Sequence, residues 1–396
     1  MLTFNHVIRL KSEDLLNSAW QGSLKLAADS GVDIAGIPSL DLSSDTRDTQ
    51  FTQAFRRLAS LAKGNVSEDT LVRAALSVMA ASTGNSHTAF IPPEHWDQLS
   101  EGRHMPIFLF RTIPTTEGPM VWDVVQGSMA DKAGIQKGDI LKAINGRSVL
   151  DQESARITRS KQEFLISRNG MAVPQFSVRI EPETIEPFQA KMIGDIAYLY
   201  LYSFPLIDLR SGQHSFVQEL RASLTALTEK NPRGWILDLR SNRGGSPDCV
   251  ALVAGAFGFK GVVFAADQKG GRVQSFASPG GDFVDGRPVI VLTDQYTGSG
   301  AEILAAVLQE SNIARVVGVR SAGHVMLSRR YALRGGGGLQ IAVATVRAGQ
   351  NLQLEGTGVI PDIEVSLSSV EILTGRDAQL ETALDLLRGT DKGGKE

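Results

Sequence analysis

The sequence predicts an α/β core, a mixed sheet flanked by helices, with an inserted β-rich module and a helical N-terminal region. Three observations predict it. Apolar residues recur at helical spacing over the first part of the chain. Short strand-like runs separated by turn residues fill residues 103–183. From residue 184 onward, strand and helix patterns alternate, as in a sheet covered by helices. Pro, Gly and Glu concentrate near Gly102 and Pro187, which places the divisions at 1–102, 103–183 and 184–396.

In the first region, "KSEDLLNSAWQGSLKLAADSG" sets Leu15, Leu16, Ala19, Trp20 and Leu24 at helical spacing, with Gly31 as a stop. "DTQFTQAFRRLASLAKG" repeats the pattern with Phe51, Phe55, Leu58 and Leu61. "SEDTLVRAALSVMAAST" opens on a serine cap with acids in its first turn and ends near Gly84. In the second region, strands are expected over Pro106–Phe110, Met120–Val125 and Phe176–Ile180. Between them come a serine-capped short helix (Ser128–Ala133), a strand (Ile140–Ile144) and an Asn145-Gly146 hairpin signal. In the third region, "IAYLYLYSF" reads as a strand and "RSGQHSFVQELRASLTALTEKN" as an amphipathic helix. "GWILDLRSN" is a nearly continuous apolar run, as expected of a strand buried on both faces. A glycine turn and helix, the strand "RPVIVLTD", another helix and several strand-like pieces follow, and "RDAQLETALDLLRG" closes the chain as a helix.

Hydrophobic content of 42% and charged content of 21% are those of an ordinary globular protein. A net charge of −3 with no basic stripe argues against a nucleic-acid partner. No apolar run is long enough to span a bilayer. The N-terminus lacks a signal pattern, which leaves the compartment open between the cytoplasm and an exported chain whose signal has been removed. The single cysteine, Cys249, sits in an apolar run and reads as a core residue, and no Cys/His cluster predicts a metal or other cofactor.

Four stretches could carry chemistry. In "VIVLTDQYTGSGAEILAAVLQ", Ser299 lies between Gly298 and Gly300 where a strand hands over to a helix. It could be an N-cap, with Glu302 completing a capping box. On this stretch alone the cap is the favoured reading, and the sharper one is a nucleophile, since flanking glycines admit a tight turn and the helix N-terminus offers N–H groups to an oxyanion. In "WILDLRSNRGGSPD", Gly244 and Gly245 either present N–H groups to an anion or simply turn the chain. "GNSHTAF" supplies a loop histidine, His87, beside Ser86, and "LEGTGVIPDIEV" supplies Glu355 ahead of a Gly-Thr-Gly turn.

Taken together these motifs resemble a known family. Ala133-Gly134, Gly138-Asp139 and Asn145-Gly146 resemble a PDZ domain of the bacterial protease type. The ordered set Asp-Leu-Arg-x-Asn-x-Gly-Gly, Gly-Ser-x-Ala-Glu-Ile and Gly-x-x-Pro-Asp-Ile-Glu-Val resembles the S41-type C-terminal processing and tricorn-core serine peptidases, over nearly the whole chain. The resemblance implies an α/β protease core with an inserted PDZ-like domain. It implies a serine endopeptidase that hydrolyses polypeptides through an acyl-enzyme without metal or other cofactor, its PDZ module recruiting or gating substrate. One design in the family pairs serine with a lysine, but in "GVRSAGHV" the lysine position holds His324. The tricorn-like design uses Ser-His-Ser-Glu, which falls on Ser299, His87, Ser86 and Glu355. Gly300 and either Gly244 or Gly245 would then form the oxyanion hole, and His324 is the alternative base. The family's glycine-rich carboxylate loop is not evident in "GRHMPIFLF", where Pro106 intrudes. The resemblance also implies a periplasmic or secreted location if a signal was removed, and leaves the oligomeric state open. A non-catalytic binding protein on the same scaffold is the alternative function.

Overall fold

The computed structural model describes residues 2, 6–7, 10–37, 39–94, 96, 110–149, 162–168, 176–180, 187–205 and 215–389. The chain forms two compact units. The first comprises Met1–Glu101 with residues 266–274 and 326–346, and the second comprises the remainder.

In the first unit, α1 (Ser12–Asp29), α2 (Arg47–Leu61) and α3 (Glu68–Ala81) form where the apolar spacing placed them. Trp20, Ala27, Ala54, Leu58, Ala62 and Leu71 close a small core between them. Ser67 caps α3, its hydroxyl accepting the Thr70 N–H at 3.1 Å. Helix then gives way to β1 (Ala89–Ile91), which pairs antiparallel with residues 338–340.

The second unit holds the β-rich module. It contains β2 (Phe110–Ile113), β3 (Met120–Val124), α4 (Met129–Lys132), β4 (Ile140–Ile144), β5 (Arg147–Ser148), β6 (Gln162–Ser167) and β7 (Phe176–Ile180). The sheet order is β2–β3–β4–β6–β7, with β5 on β4. Ser128 caps α4, and Asn145 and Gly146 take φ values of 50° and 77°, the two left-handed residues a tight β4–β5 hairpin requires. Val121, Ile135, Leu141, Phe164 and Ile166 fill its interior. Of the strand expected over Pro106–Phe110, and of the loop questioned for carboxylate binding, residues up to 109 lie outside the described residues.

The same unit holds β8 (Phe188–Ile193), β9 (Ile196–Leu201), α5 (Ser215–Thr228), β10 (Gly234–Asp238) and α6 (Pro247–Ala256). Next come β11 (Val262–Gln268), β12 (Val273–Ala277), β13 (Val289–Thr293), α7 (Gly300–Glu310) and β14 (Ala314–Gly318). The chain then passes through β15 (Met326–Ala332) and β16 (Gly338–Ala348), which belong wholly and mostly to the first unit, and returns to the second with β17 (Ile363–Glu364), α8 (Ser369–Leu373) and α9 (Ala378–Arg388). The central sheet is ordered β17–β14–β13–β10–β9–β8, parallel throughout except for β8 on β9. Every residue of β9, β10 and β13 is buried, which explains why their sequences run apolar rather than alternate. On one face α9 packs Ala383 and Leu387 against Tyr198, Ile236 and Ile290. Phe216 of α5 meets Phe188 edge-on at 5.8 Å. A second sheet is ordered β1–β16–β11–β12, with β15 on β16. In the central sheet Asp238 lies level with Tyr200 and Leu292, so β9, β10 and β13 end together. The loops after β10 and β13 therefore leave the same edge, where open α/β sheets place their sites.

Candidate active site

Ser299 immediately precedes α7, but its backbone is not that of a side-chain cap. A cap residue is normally extended. Ser299 has φ 54° and ψ −119°, a conformation that costs a non-glycine residue about 1–3 kcal/mol and survives only where the surroundings over-determine it.

Those surroundings can be named. The Ser299 N–H donates to Glu302 Oε2 at 2.9 Å. Glu302 is fully buried and serves more than the cap. Its Oε1 accepts the Ser321 hydroxyl and the Gly323 N–H, both at 2.6 Å, and its Oε2 also accepts the His324 N–H at 2.9 Å. One carboxylate thus fixes the serine turn and the following loop. On the other side lies the Gly244 backbone. A Cβ at Gly244 would stand 2.6 Å from Ser299 Cβ, and Gly244 has φ 88°, so only glycine fits.

The loop after β10 is tied to the turn after β13 by short polar bonds. Buried Asn242 sends its Nδ2 to the Leu201 carbonyl, accepts the Gly244 N–H at its Oδ1, and accepts the Gly298 N–H at its own carbonyl, each at 2.8 Å. Asp294 accepts the Ser241 N–H and hydroxyl, each at 2.8 Å, and the Thr297 N–H at 2.8 Å. The Gly244 N–H is therefore already engaged. The N–H groups of Gly245 and Gly300 have no hydrogen-bond partner among the described residues.

Glu355 is half-buried, and its Oε2 accepts the Val325 N–H at 2.5 Å, beside His324. Ser321 links the two loops, since its hydroxyl accepts the Val359 N–H at 2.6 Å. Gly358 lies against the Ser321 carbonyl, where a Cβ would come within 2.6 Å. His324 itself is exposed.

His87 and Ser86 belong to the first unit. There Asn85 Oδ1 accepts the His87 N–H at 2.8 Å, and Gln340 on β16 donates to the His87 carbonyl at 3.3 Å. His87 is half-buried and Ser86 exposed. The second unit gathers Ser299, Gly300, Gly244, Gly245 and the loops bearing His324 and Glu355.

The family model for peptidase family S41 matches residues 195–365, and a PDZ domain model matches residues 120–162. The chain belongs to peptidase family S41. It is a serine-type peptidase with a PDZ domain. The peptidase is 28% identical over 335 residues to a carboxyl-terminal-processing protease from Synechocystis, covering 80% of this chain and 76% of that one. It is 30% identical over 286 residues to a carboxy-terminal-processing protease from Bartonella bacilliformis, covering 69% and 63%. Its fold is similar to that of a photosystem II D1 C-terminal processing protease, at a TM-score of 0.55 and 20% identity, over 93% of this chain and 99% of that one.

In the peptidase, the strand end that precedes the Ser241–Gly245 loop is also the seam with the PDZ module. Asp238 is fully buried and salt-bridged to Arg240 at 2.6 Å and to Arg111 of β2 at 2.9 Å. The Tyr198 hydroxyl donates to the same carboxylate at 2.6 Å. The Arg111 guanidinium lies 4.1 Å from the ring centres of both Trp122 and Tyr200, and it also pairs with Asp123 at 2.9 Å. Arg240 continues to Asp377 and Gln379, at the start of α9. Burial alone would raise the Asp238 carboxyl, but Arg240 and Arg111 overcome it and hold it well below the usual carboxylate range. Sequence reading missed this cluster and the roles of Asn242 and Asp294. The available signal was a run of polar residues, Asp238, Arg240 and Asn242, closing an otherwise apolar strand. Cys249 is a buried residue of α6, as its sequence context suggested. Among the described residues, no group of His, Cys, Asp and Glu could hold a metal ion, and no helix is long and apolar enough to cross a membrane.

Proposed function

We propose that the peptidase cleaves polypeptides at Ser299, with His87 as base and with Ser86 and Glu355 orienting the imidazole. The supporting observation is the Ser299 turn, which sits at a helix start, is held by buried Glu302 and is backed by Gly244. In this reading Ser299 Oγ attacks the scissile carbonyl carbon while the base takes its proton. The oxyanion forms beside the Gly300 N–H, with Gly245 as second donor because the Gly244 N–H is given to Asn242. The protonated base then hands its proton to the leaving amine. Water attacks the acyl-enzyme by the same route and regenerates the serine.

The relatives' names ascribe carboxyl-terminal processing to them, and substrate entry near chain termini is proposed for this chain on that ground. The PDZ module is proposed to recruit or gate protein substrates, with the chain divided functionally at 1–102, 103–183 and 184–396. Replacing residues 103–183 by a short linker should then depress casein cleavage more than cleavage of short peptides, and equal losses would discard recruitment.

The nucleophile is tested by fluorophosphonate labelling and casein cleavage. Wild type should label and cleave, and Ser299→Ala should do neither while staying folded. Near-normal cleavage by Ser299→Ala would end the assignment. The base has a second reading, favoured by the placement of Glu355 at the Val325 amide, one residue from His324. If His87 is the base, His87→Ala should cost on the order of 10³-fold in kcat. His324→Ala should then cost far less, with Glu355→Gln between them. The reverse order would make His324 the base.

A further inference from the structure

We infer that Arg243 forms a carboxylate-binding subsite beside the catalytic serine, so that the peptidase prefers substrates with an acidic group close to the scissile bond. The inference rests on the assignment of Ser299 as nucleophile. Arg243 stands between Asn242, which is locked into the core, and Gly244, which packs on Ser299. Its Cα lies 3.8 Å from where a Cβ on Gly298 would stand, so its backbone flanks the serine turn directly. Unlike its neighbour in the same motif, buried Arg240, it is exposed.

The head group is placed rather than loose. The Arg243 guanidinium lies 5.3 Å from the ring centre of Tyr296, three residues ahead of Ser299. Holding the flat cation near a ring leaves its N–H edge available for a carboxylate. Among the described residues no carboxylate pairs with Arg243, whereas Arg111, Arg168, Arg240 and Arg376 all have acidic partners. Asp294, the nearby acid in the same turn, is spent on Ser241 and Thr297. An unpaired cation at the rim of a hydrolytic site selects for anions in the substrate. Two residues of extended peptide cover about 7 Å, so the acid should lie within about two residues of the cleaved bond.

The carboxylate could be an Asp or Glu side chain or the free C-terminus of a short product-side segment. Both are tested on wild-type peptidase with three peptides of one sequence, comparing kcat/KM. One carries Glu near the cleaved bond and an amidated end, one carries Gln with an amidated end, and one carries Gln with a free carboxyl end. Wild type should prefer at least one acidic form by about threefold to fivefold at low salt, the range of a solvent-exposed ion pair, and less at high salt. A side-chain subsite favours the Glu peptide, and a terminal one favours the free-acid peptide. Arg243→Gln should remove the preference and Arg243→Lys should keep part of it. Equal rates on all three peptides in wild type, or an undiminished preference in Arg243→Gln, would overturn the inference. Ser299→Ala run on the same peptides separates the two claims. If that variant still cleaves, the nucleophile assignment fails. If it is dead while wild type shows no acidic preference, only the subsite fails.

Discussion

Among the described residues of the second unit, Asp139, Asp238 and Glu302 are fully buried carboxylates, and the last two are satisfied in opposite ways. Asp238 faces two arginines and a tyrosine hydroxyl. Glu302 faces three backbone N–H groups and a serine hydroxyl. The first arrangement fastens modules, because charged side chains from β2, β10 and the start of α9 converge on one cluster. The second shapes a site, because backbone donors from two loops are fixed at single positions without a competing charge. Charge pairing tolerates the distances between separate elements. Backbone donation demands that the loops hold one conformation, which is what a preorganised active site requires.

Asp238→Asn leaves Arg111 and Arg240 buried without their central partner. It should cost about 3–5 kcal/mol, read as a lower melting temperature. The acid side sharpens this. The folded carboxyl of Asp238 is depressed below its unfolded value, so its contribution is complete above the ordinary carboxylate range, starts to fall there, and is lost as pH drops on through the lower folded value. The urea midpoint of wild type should fall with acidification, and Asp238→Asn should show a flatter acid limb. A variant as stable as wild type would mean that the seam is held by apolar packing.

At the other carboxylate the expected loss is in turnover. Glu302→Gln keeps the shape but turns an amide NH₂ toward donors that need an acceptor. It should lower kcat about 100-fold, as small misplacements of catalytic groups do, with a modest change in melting temperature. If kcat is unchanged, Glu302 is an ordinary helix cap. The smallest effect is expected from Tyr198→Phe, which removes one hydrogen bond to the Asp238 carboxylate. A loss of about 1.5 kcal/mol with activity retained fits a purely structural seam. A larger fall in kcat than in stability would instead tie the seam to the loop at Gly244.

The alternation of strands and helices, the PDZ module with its Asn145-Gly146 turn, and the serine between glycines were all legible from the residues alone. These are local signals, because periodicity, capping and left-handed turns are set by residues a few positions apart. The sequence also brought out Ser299, Gly244, Gly300 and Glu355 as one ordered set of motifs. It took the folded chain to reveal that Ser299 departs from the extended backbone of a cap, that Glu302 serves two loops, and that Asn242 takes the Gly244 N–H and leaves that of Gly245 open among the described residues. Only it joined Arg111 to Asp238 across 127 positions in the chain. A buried charge declares nothing about its partner in sequence. Its pairing is settled when the backbone closes and desolvation forces each donor and acceptor to find the nearest complement.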